Sequence, residues 1–174
     1  MKLLAFDMGR ATGVAFGDVR GTPICHTEYL GEPDDPQDVR FCQALRMTAR
    51  LIDKLRPDAV VIEKAIAAGV VGKEARVQQA FGYRGCIFGV AKMKGVKTAE
   101  YSVGEVREYL IGERSLRSDA AKPRVFEACK TLGWGVANFE ESDAAAVWHL
   151  ARARLFGVSV IKGLFGDQIH GADQ

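Results

Sequence analysis

Four acidic residues stand where an apolar segment gives way to solvent or where a helix begins: Asp7, Glu63, Glu140 and Asp143. Asp7 closes the apolar run Leu3-Leu4-Ala5-Phe6, and Glu63 closes the β-branched run Ala59-Val60-Val61-Ile62. A carboxylate at the end of an apolar strand sits where a sheet meets water, and two such ends become neighbours when their strands pair in parallel. Glu140 and Asp143 are three residues apart, which puts them on one face of a helix, whereas Glu141 points elsewhere. If the four converge, like charges a few ångströms apart raise one another's pKa unless a cation intervenes. Hard oxygen donors of this kind suit Mg²⁺ or Mn²⁺. Two such ions about 4 Å apart can clamp a phosphodiester for in-line attack by water.

Each acid also has a plainer explanation. Asp7 can be a turn residue ahead of Gly9, and Glu63 a solvated strand end. Asn138 and Glu141 have capping-box spacing, so the acids around them can simply start a helix. Glu140 and Asp143 can complement the helix dipole. Only convergence separates the two accounts, and convergence depends on the elements that carry these residues.

The elements follow from hydrophobic periodicity. Residues 3–6, 12–16 and 24–30 read as strands with short links, which suits antiparallel hairpins. Residues 31–36 are a loop rich in Pro and Asp. Residues 37–56 are predicted helical, with Phe41, Leu45, Ile52 and Leu55 as the stripe and Ala44, Met47 and Leu51 beside it; Pro57 ends the helix. Residues 59–62 form a buried strand. Residues 73–93 are a helix with Val77, Ala80, Phe81, Phe88 and Ala91 as its stripe, although three glycines weaken its middle. A strand over 96–101 and helices near 102–111, 119–132 and 139–155 follow. The order predicts an α/β fold with a mixed five-stranded sheet, three antiparallel strands and then parallel ones, flanked by helices. Residues 1–156 form one domain, and 157–174 a Gly-rich tail.

The 174 residues fit a single domain with its own core, and 48% hydrophobic with 26% charged residues excludes disorder, collagen and coiled coil. No apolar run reaches the roughly 18 residues of a membrane helix. Asp7 interrupts the opening too early for a signal peptide. A cytoplasmic protein with no membrane partner is expected. Cys25, Cys42, Cys86 and Cys129 are widely spaced and read as small core residues rather than zinc ligands. The net charge of +2 hides a division: residues 1–63 carry −2, residues 64–130 carry +6 and residues 131–174 carry −2. Lys64, Lys73, Arg76, Arg84, Lys92, Lys94 and Lys97 lie in that basic middle, as a phosphate-binding surface or as a solvated helix face.

Other signals are weaker. Gly69-Val70-Val71-Gly72-Lys73-Glu74 has its glycines too close for a phosphate loop, and Glu74 stands where Ser or Thr is needed. His26, His149 and His170 have no ligand spacing, and His149 reads as a helix-face residue. Trp134 and Trp148 read as core or interface, and Met8 as core.

The opening Leu4-Ala5-Phe6-Asp7-Met8-Gly9 with Thr12-Gly13-Val14-Ala15 resembles the first hairpin of the RuvC-type Holliday-junction resolvases. Asp58-Ala59-Val60-Val61-Ile62-Glu63 is similar to their fourth strand, and Glu140-Glu141-Ser142-Asp143-Ala144-Ala145-Ala146 to their final acidic helix. Tyr101-Ser102-Val103-Gly104-Glu105-Val106-Arg107 and Ala120-Ala121-Lys122-Pro123-Arg124-Val125 resemble segments that carry basic residues. The five segments run in order from about residue 2 to 152. The resemblance implies an RNase H-like nuclease fold, a homodimer, and metal-dependent cleavage of four-way or branched DNA. It implies Asp7, Glu63, Glu140 and Asp143 as ligands of Mg²⁺ or Mn²⁺, two per site, with Lys122 near the scissile phosphate and Arg107 holding a phosphate. Lys73, Arg76 and Arg84 are the remaining candidate DNA contacts. Arg107 stands where a Lys is expected, Glu140 where Asp or His is expected, and Ile66 where some members place an aromatic wedge. Such divergence would suit a phage-encoded or accessory member.

Three rival readings share parts of this pattern. A YqgF-type nuclease acting on RNA has the Asp-x-Gly opening and a strand-end Glu, but its chains are usually shorter. A non-catalytic branched-DNA-binding protein would have little use for the acids. An actin-like ATPase needs two such domains, and 174 residues are too few.

Overall fold

The structure, a computed structural model, describes residues 1–64 and 74–158. Three strands open the chain: β1 (Lys2–Asp7), β2 (Ala11–Asp18) and β3 (Ile24–Tyr29). Helix α1 (Gln37–Leu55), strand β4 (Ala59–Glu63), helix α2 (Glu74–Met93) and strand β5 (Lys97–Tyr101) follow, and α3 (Val103–Ile111), α4 (Ser118–Thr131) and α5 (Phe139–Phe156) close it. The sheet order is β3-β2-β1-β4-β5. β1–β2 and β2–β3 pair antiparallel, and β1–β4 and β4–β5 pair in parallel. This is the mixed, helix-covered sheet expected from the sequence, and each predicted element is present within one or two residues of its expected ends.

Strand periodicity of two divides the core between the two faces. Leu4, Phe6, Val14, Val60 and Ile62 point to α1 and α2. Leu3, Ala5, Ala15, Ala59 and Val61 point to α3, α4 and α5. Helix α5 is the central buttress: Ala144, Ala145, Ala146, Val147, Trp148, Leu150 and Ala151 are all buried. Small residues let it lie close to the sheet, and Trp148 Nε1 donates to the Leu3 carbonyl at 3.2 Å.

Packing moves the stripes of α1 and α2. Leu45 and Phe81 are exposed, and the residues buried on these helices are Ala44, Met47, Thr48, Leu51 and Ile52, and Tyr83, Ile87, Val90 and Ala91. α1 and α2 lie against each other as well as on the sheet. Phe41 meets Tyr83 edge to face at 5.4 Å and covers Gly82, so the buried arc rotates toward that contact. His149 is a second correction. It is fully buried rather than on an exposed helix face, because α5 is covered by Tyr109 of α3 and by Trp134, whose rings lie 5.0 and 5.1 Å away. Trp134 and Trp148 are core, and Met8 packs against the α1/α2 face. Of the cysteines Cys129 is buried, Cys25 and Cys86 are half-buried and Cys42 is exposed.

No helix among the described residues is long and apolar enough to cross a membrane. Of the expected tail only Gly157 and Val158 are described, Gly157 ending α5 in the left-handed conformation that glycine accepts at low cost. Residues 159–174 lie outside the described residues, as do all but Glu74 of the rejected phosphate loop over 69–74.

Candidate active site

Register brings the first two acids together. β1 and β4 pair in parallel as far as Phe6 opposite Ile62, so the next residues along are Asp7 and Glu63. Both share the parity of Ala5 and Val61, hence the face that α5 covers. The strand ends are fixed. Lys64 N donates to the Tyr101 carbonyl at 2.8 Å, continuing the β4–β5 ladder past Glu63. Thr12 Oγ1 donates to the Gly9 carbonyl at 2.7 Å and closes the β1–β2 turn beyond Asp7.

Gly13 admits the other two acids. It lies opposite Asp7 in the β1–β2 ladder. A Cβ built on it would stand 1.8 Å from the Glu140 carbonyl oxygen. Only the absent side chain lets the first turn of α5 rest on the sheet there. Asn138 then starts the helix, its Oδ1 accepting from Glu141 N at 2.9 Å. Glu141 turns away from the acids: Thr27 Oγ1 and the Ala137 N–H each donate to its carboxylate at 2.9 Å. That network pins the start of α5 to β3 and leaves Glu140 and Asp143 on the side facing Asp7.

Asp7, Glu63 and Asp143 line one cleft of about 570 Å³ with Lys64, Ser102, Gly104, Arg107, Ser118 and Lys122. Glu140 is not among the residues that line it, but its charge acts on Asp7, Asp143 and Lys122. Lys122 Nζ lies 3.4 Å from Asp143 Oδ2. Arg107 is aimed by two bonds, Nη1 to the Leu116 carbonyl at 2.7 Å and Nη2 to Ser118 Oγ at 3.0 Å. A complete capping box of Ser102 and Glu105 fixes the start of α3 and so the position of Arg107.

The electrostatics are those of crowded, dehydrated acids. Burial holds the Asp7 carboxyl well above its usual range, and Glu63, Asp143 and Glu140 add to the shift while Lys122 opposes it. Burial and then Asp143 push Glu63 up to about 7, against Arg107 and Lys122. Asp143 is raised by burial despite Lys122 beside it. Burial alone would lower the Lys122 ammonium, but Asp143, Asp7 and Glu140 outweigh it and raise its pKa.

Among the described residues no three His, Cys, Asp or Glu side chains are drawn tightly enough to hold an ion in this arrangement. The donor set nonetheless fits a hard divalent cation. It consists of carboxylates, buried at one cleft, whose mutual repulsion such a cation would relieve.

Another basic candidate, Arg84, falls elsewhere. Arg84 is paired with Glu100 of β5 and lies 4.9 Å over the Phe88 ring, on the α2 side of the sheet. Arg76 belongs to α2, but its side chain is outside the described set, and Lys73 and Ile66 lie outside the described residues. Reading the sequence missed Ser118, Ser102 and Gly13. Ser102-Val103-Gly104-Glu105 does carry the S-x-x-E capping signal, whereas nothing local marks Gly13 or Ser118.

No protein-family model matches the chain. A curated relative, the crossover junction endodeoxyribonuclease RuvC of Geotalea uraniireducens (strain Rf4), is 29% identical over 153 residues, covering 84% of this chain and 85% of that one. Over most of its length the chain is similar to that protein. Its fold agrees: Thermus thermophilus RuvC superposes with a TM-score of 0.66 at 21% identity, over 90% of this chain and 97% of that one. T. thermophilus RuvC in complex with a Holliday junction substrate gives 0.63 at 19% identity, over 86% and 92%. The chain thus has the mixed-sheet architecture of those proteins along most of its length.

Proposed function

We propose that this RuvC-like chain is a structure-selective endodeoxyribonuclease that hydrolyses phosphodiesters at four-way DNA junctions. The observation that carries the reading is the meeting of Asp7, Glu63 and Asp143 with Lys122 and Arg107 in one cleft, from five separate elements. DNA carries about one negative charge per 1.7 Å of duplex axis, so bare carboxylates would repel it. Bound at Asp7, Glu63, Asp143 and Glu140, Mg²⁺ or Mn²⁺, two per site, would neutralise that repulsion and activate water for attack on phosphorus.

The chain's own residues do the remaining work. Buried, raised carboxylates hold the acidic wall of the cleft. Lys122, kept protonated by Asp143, Asp7 and Glu140, presents a fixed positive charge to the oxygens on which negative charge develops. Arg107, held by Leu116 and Ser118, orients a non-bridging phosphate oxygen. Residues 1–156 form the nuclease unit. A homodimer suits the reaction because two-fold symmetry offers two clefts to the two strands that must be cut.

The test is a panel of synthetic four-way junctions, linear duplexes and RNA, incubated with each metal. Paired nicks in the junction should require a divalent ion. Asp7→Asn, Glu63→Gln and Asp143→Asn should each abolish them while junction binding persists. Cleavage surviving in all three variants, or cleavage confined to RNA, would overturn the proposal.

A further inference from the structure

We propose that Phe126 and Phe139 form a stacking platform for an unpaired nucleobase beside the phosphate being cut; this rests on the DNA-cleaving role proposed above. A second cavity of about 440 Å³ has Phe126, Phe139, Pro123, Ala137 and Glu140 among its lining residues, and Lys122 of the acidic cleft reaches over its Phe139 ring. Its surface is largely apolar, yet it opens beside groups that would handle a phosphate. Phe139 is the first residue of α5, one position before Glu140, and is 41% exposed. Phe126 of α4 meets it edge to face, the centroids 5.7 Å apart and the planes at 81°. The two rings therefore form a corner rather than a closed pair, and each leaves surface for another flat group.

Charge makes that group part of a nucleotide. Lys122 Nζ lies 5.9 Å over the Phe139 ring, and Lys130 Nζ 5.3 Å over the Phe126 ring. Lys122 is also the lysine 3.4 Å from Asp143. One side chain thus touches both the cleft and the platform, so a phosphate at Lys122 carries its base toward the rings. Glu127 also lines the cavity, but Lys130 pairs with it at 3.8 Å. An apolar floor flanked by cations is the arrangement by which proteins hold unpaired bases: rings take the π-face and lysines the backbone.

The platform is held in place before DNA arrives. Asn138, adjacent to Phe139, donates through Nδ2 to Thr27 Oγ1 at 2.9 Å and accepts from Glu141 N. At a branch point a base has lost a stacking neighbour, so moving it onto Phe139 costs less than extracting one from continuous duplex. The platform would therefore favour branched over linear DNA without reading sequence.

The test uses 2-aminopurine, placed in turn at each nucleotide flanking the cut in a four-way junction and in a single-stranded oligonucleotide, with Ca²⁺ replacing Mg²⁺. Wild-type protein should quench the probe at one flanking position. Phe139→Leu, which keeps apolar bulk between α4 and α5 but removes the ring, should abolish quenching and weaken binding by about 5- to 150-fold. Phe139→Trp should restore both. An abasic nucleotide at that position should weaken wild type but not further weaken Phe139→Leu. Undiminished quenching and affinity in both Phe139→Leu and Phe126→Leu would overturn the platform while leaving junction cleavage standing. If wild type cuts no junction but quenches the single strand through Phe139, the platform stands and the assigned reaction falls. No quenching by wild type on either DNA removes the platform outright.

Discussion

Gly13→Ala is the substitution for which the structure gives the sharpest expectation. The new methyl would stand 1.8 Å from the Glu140 carbonyl oxygen and 2.3 Å from its carbonyl carbon. Ordinary contact begins near 3.4 Å. The first turn of α5 must therefore retreat by about 1.6 Å, the difference between those figures. The obstacle is backbone on both sides, in a strand paired with β1 and β3 and in a helix start pinned to Thr27, so no side-chain rotation relieves it. Overpacking of this kind costs about 1–3 kcal/mol. A misplacement of about 1 Å at reacting groups can cost 10²-fold in rate. Gly13→Ala should thus melt lower than wild type yet remain folded, with single-turnover junction cleavage down by about 100-fold or more. Gly85→Ala is the control: a Cβ there meets nothing within 4 Å, and removing a helical glycine should raise stability by about 0.5–1 kcal/mol. Calorimetry with single-turnover cleavage on both proteins decides the matter. Wild-type cleavage and melting in Gly13→Ala would refute the claim that α5 reaches Asp7 only through that gap.

Other consequences follow from the charges. Glu63 ionises near 7 in the folded chain and lower when unfolded, so between about pH 4.5 and 7 the folded state binds the extra proton and metal-free stability falls as pH rises, by about 3 kcal/mol at most. Denaturant midpoints across that range should show the fall in EDTA, and Mg²⁺ should flatten it; a metal-free midpoint rising over the same range contradicts it. For the same reason Asp7→Asn should raise the metal-free melting temperature while it removes cleavage. His149 works in the opposite sense. Buried and neutral, with its pKa lowered to about 3, it forces the unfolded chain to take up the extra proton, so stability is lost as pH falls from about 6.5 toward 3. His149→Gln should shift acid unfolding to lower pH, and an unchanged acid midpoint would show that His149 is already charged in the fold. Lys122→Met should slow cleavage by about 10²-fold or more, a larger factor than its loss of junction affinity, which gel-shift and quench-flow measurements separate.

The sequence made the frame of the site legible because its signals are local. Period-two and β-branched runs end visibly at Asp7 and Glu63, and an acidic i, i+3 pair opens a helix. What it did not carry arises from residues far apart in the chain. Gly13 looks like any strand glycine until Glu140 lies over it. His149 has the same neighbours in sequence whether α5 is a surface helix or the buttress of the sheet; Tyr109 and Trp134 decide it. Arg84 reads as one of a basic set, and only the pairing of α2 with β5 sets it against Glu100. Leu45 and Phe81 belong to apolar stripes by spacing, and the α1–α2 contact turns them to solvent.

The most direct measurement is anomalous diffraction at the manganese edge from crystals grown with Mn²⁺. The account predicts two peaks bounded by carboxylate oxygens of Asp7, Glu63, Glu140 and Asp143, with Lys122 displaced from Asp143. Manganese bound only elsewhere, or a cleft that stays without a peak at millimolar Mn²⁺, would contradict it.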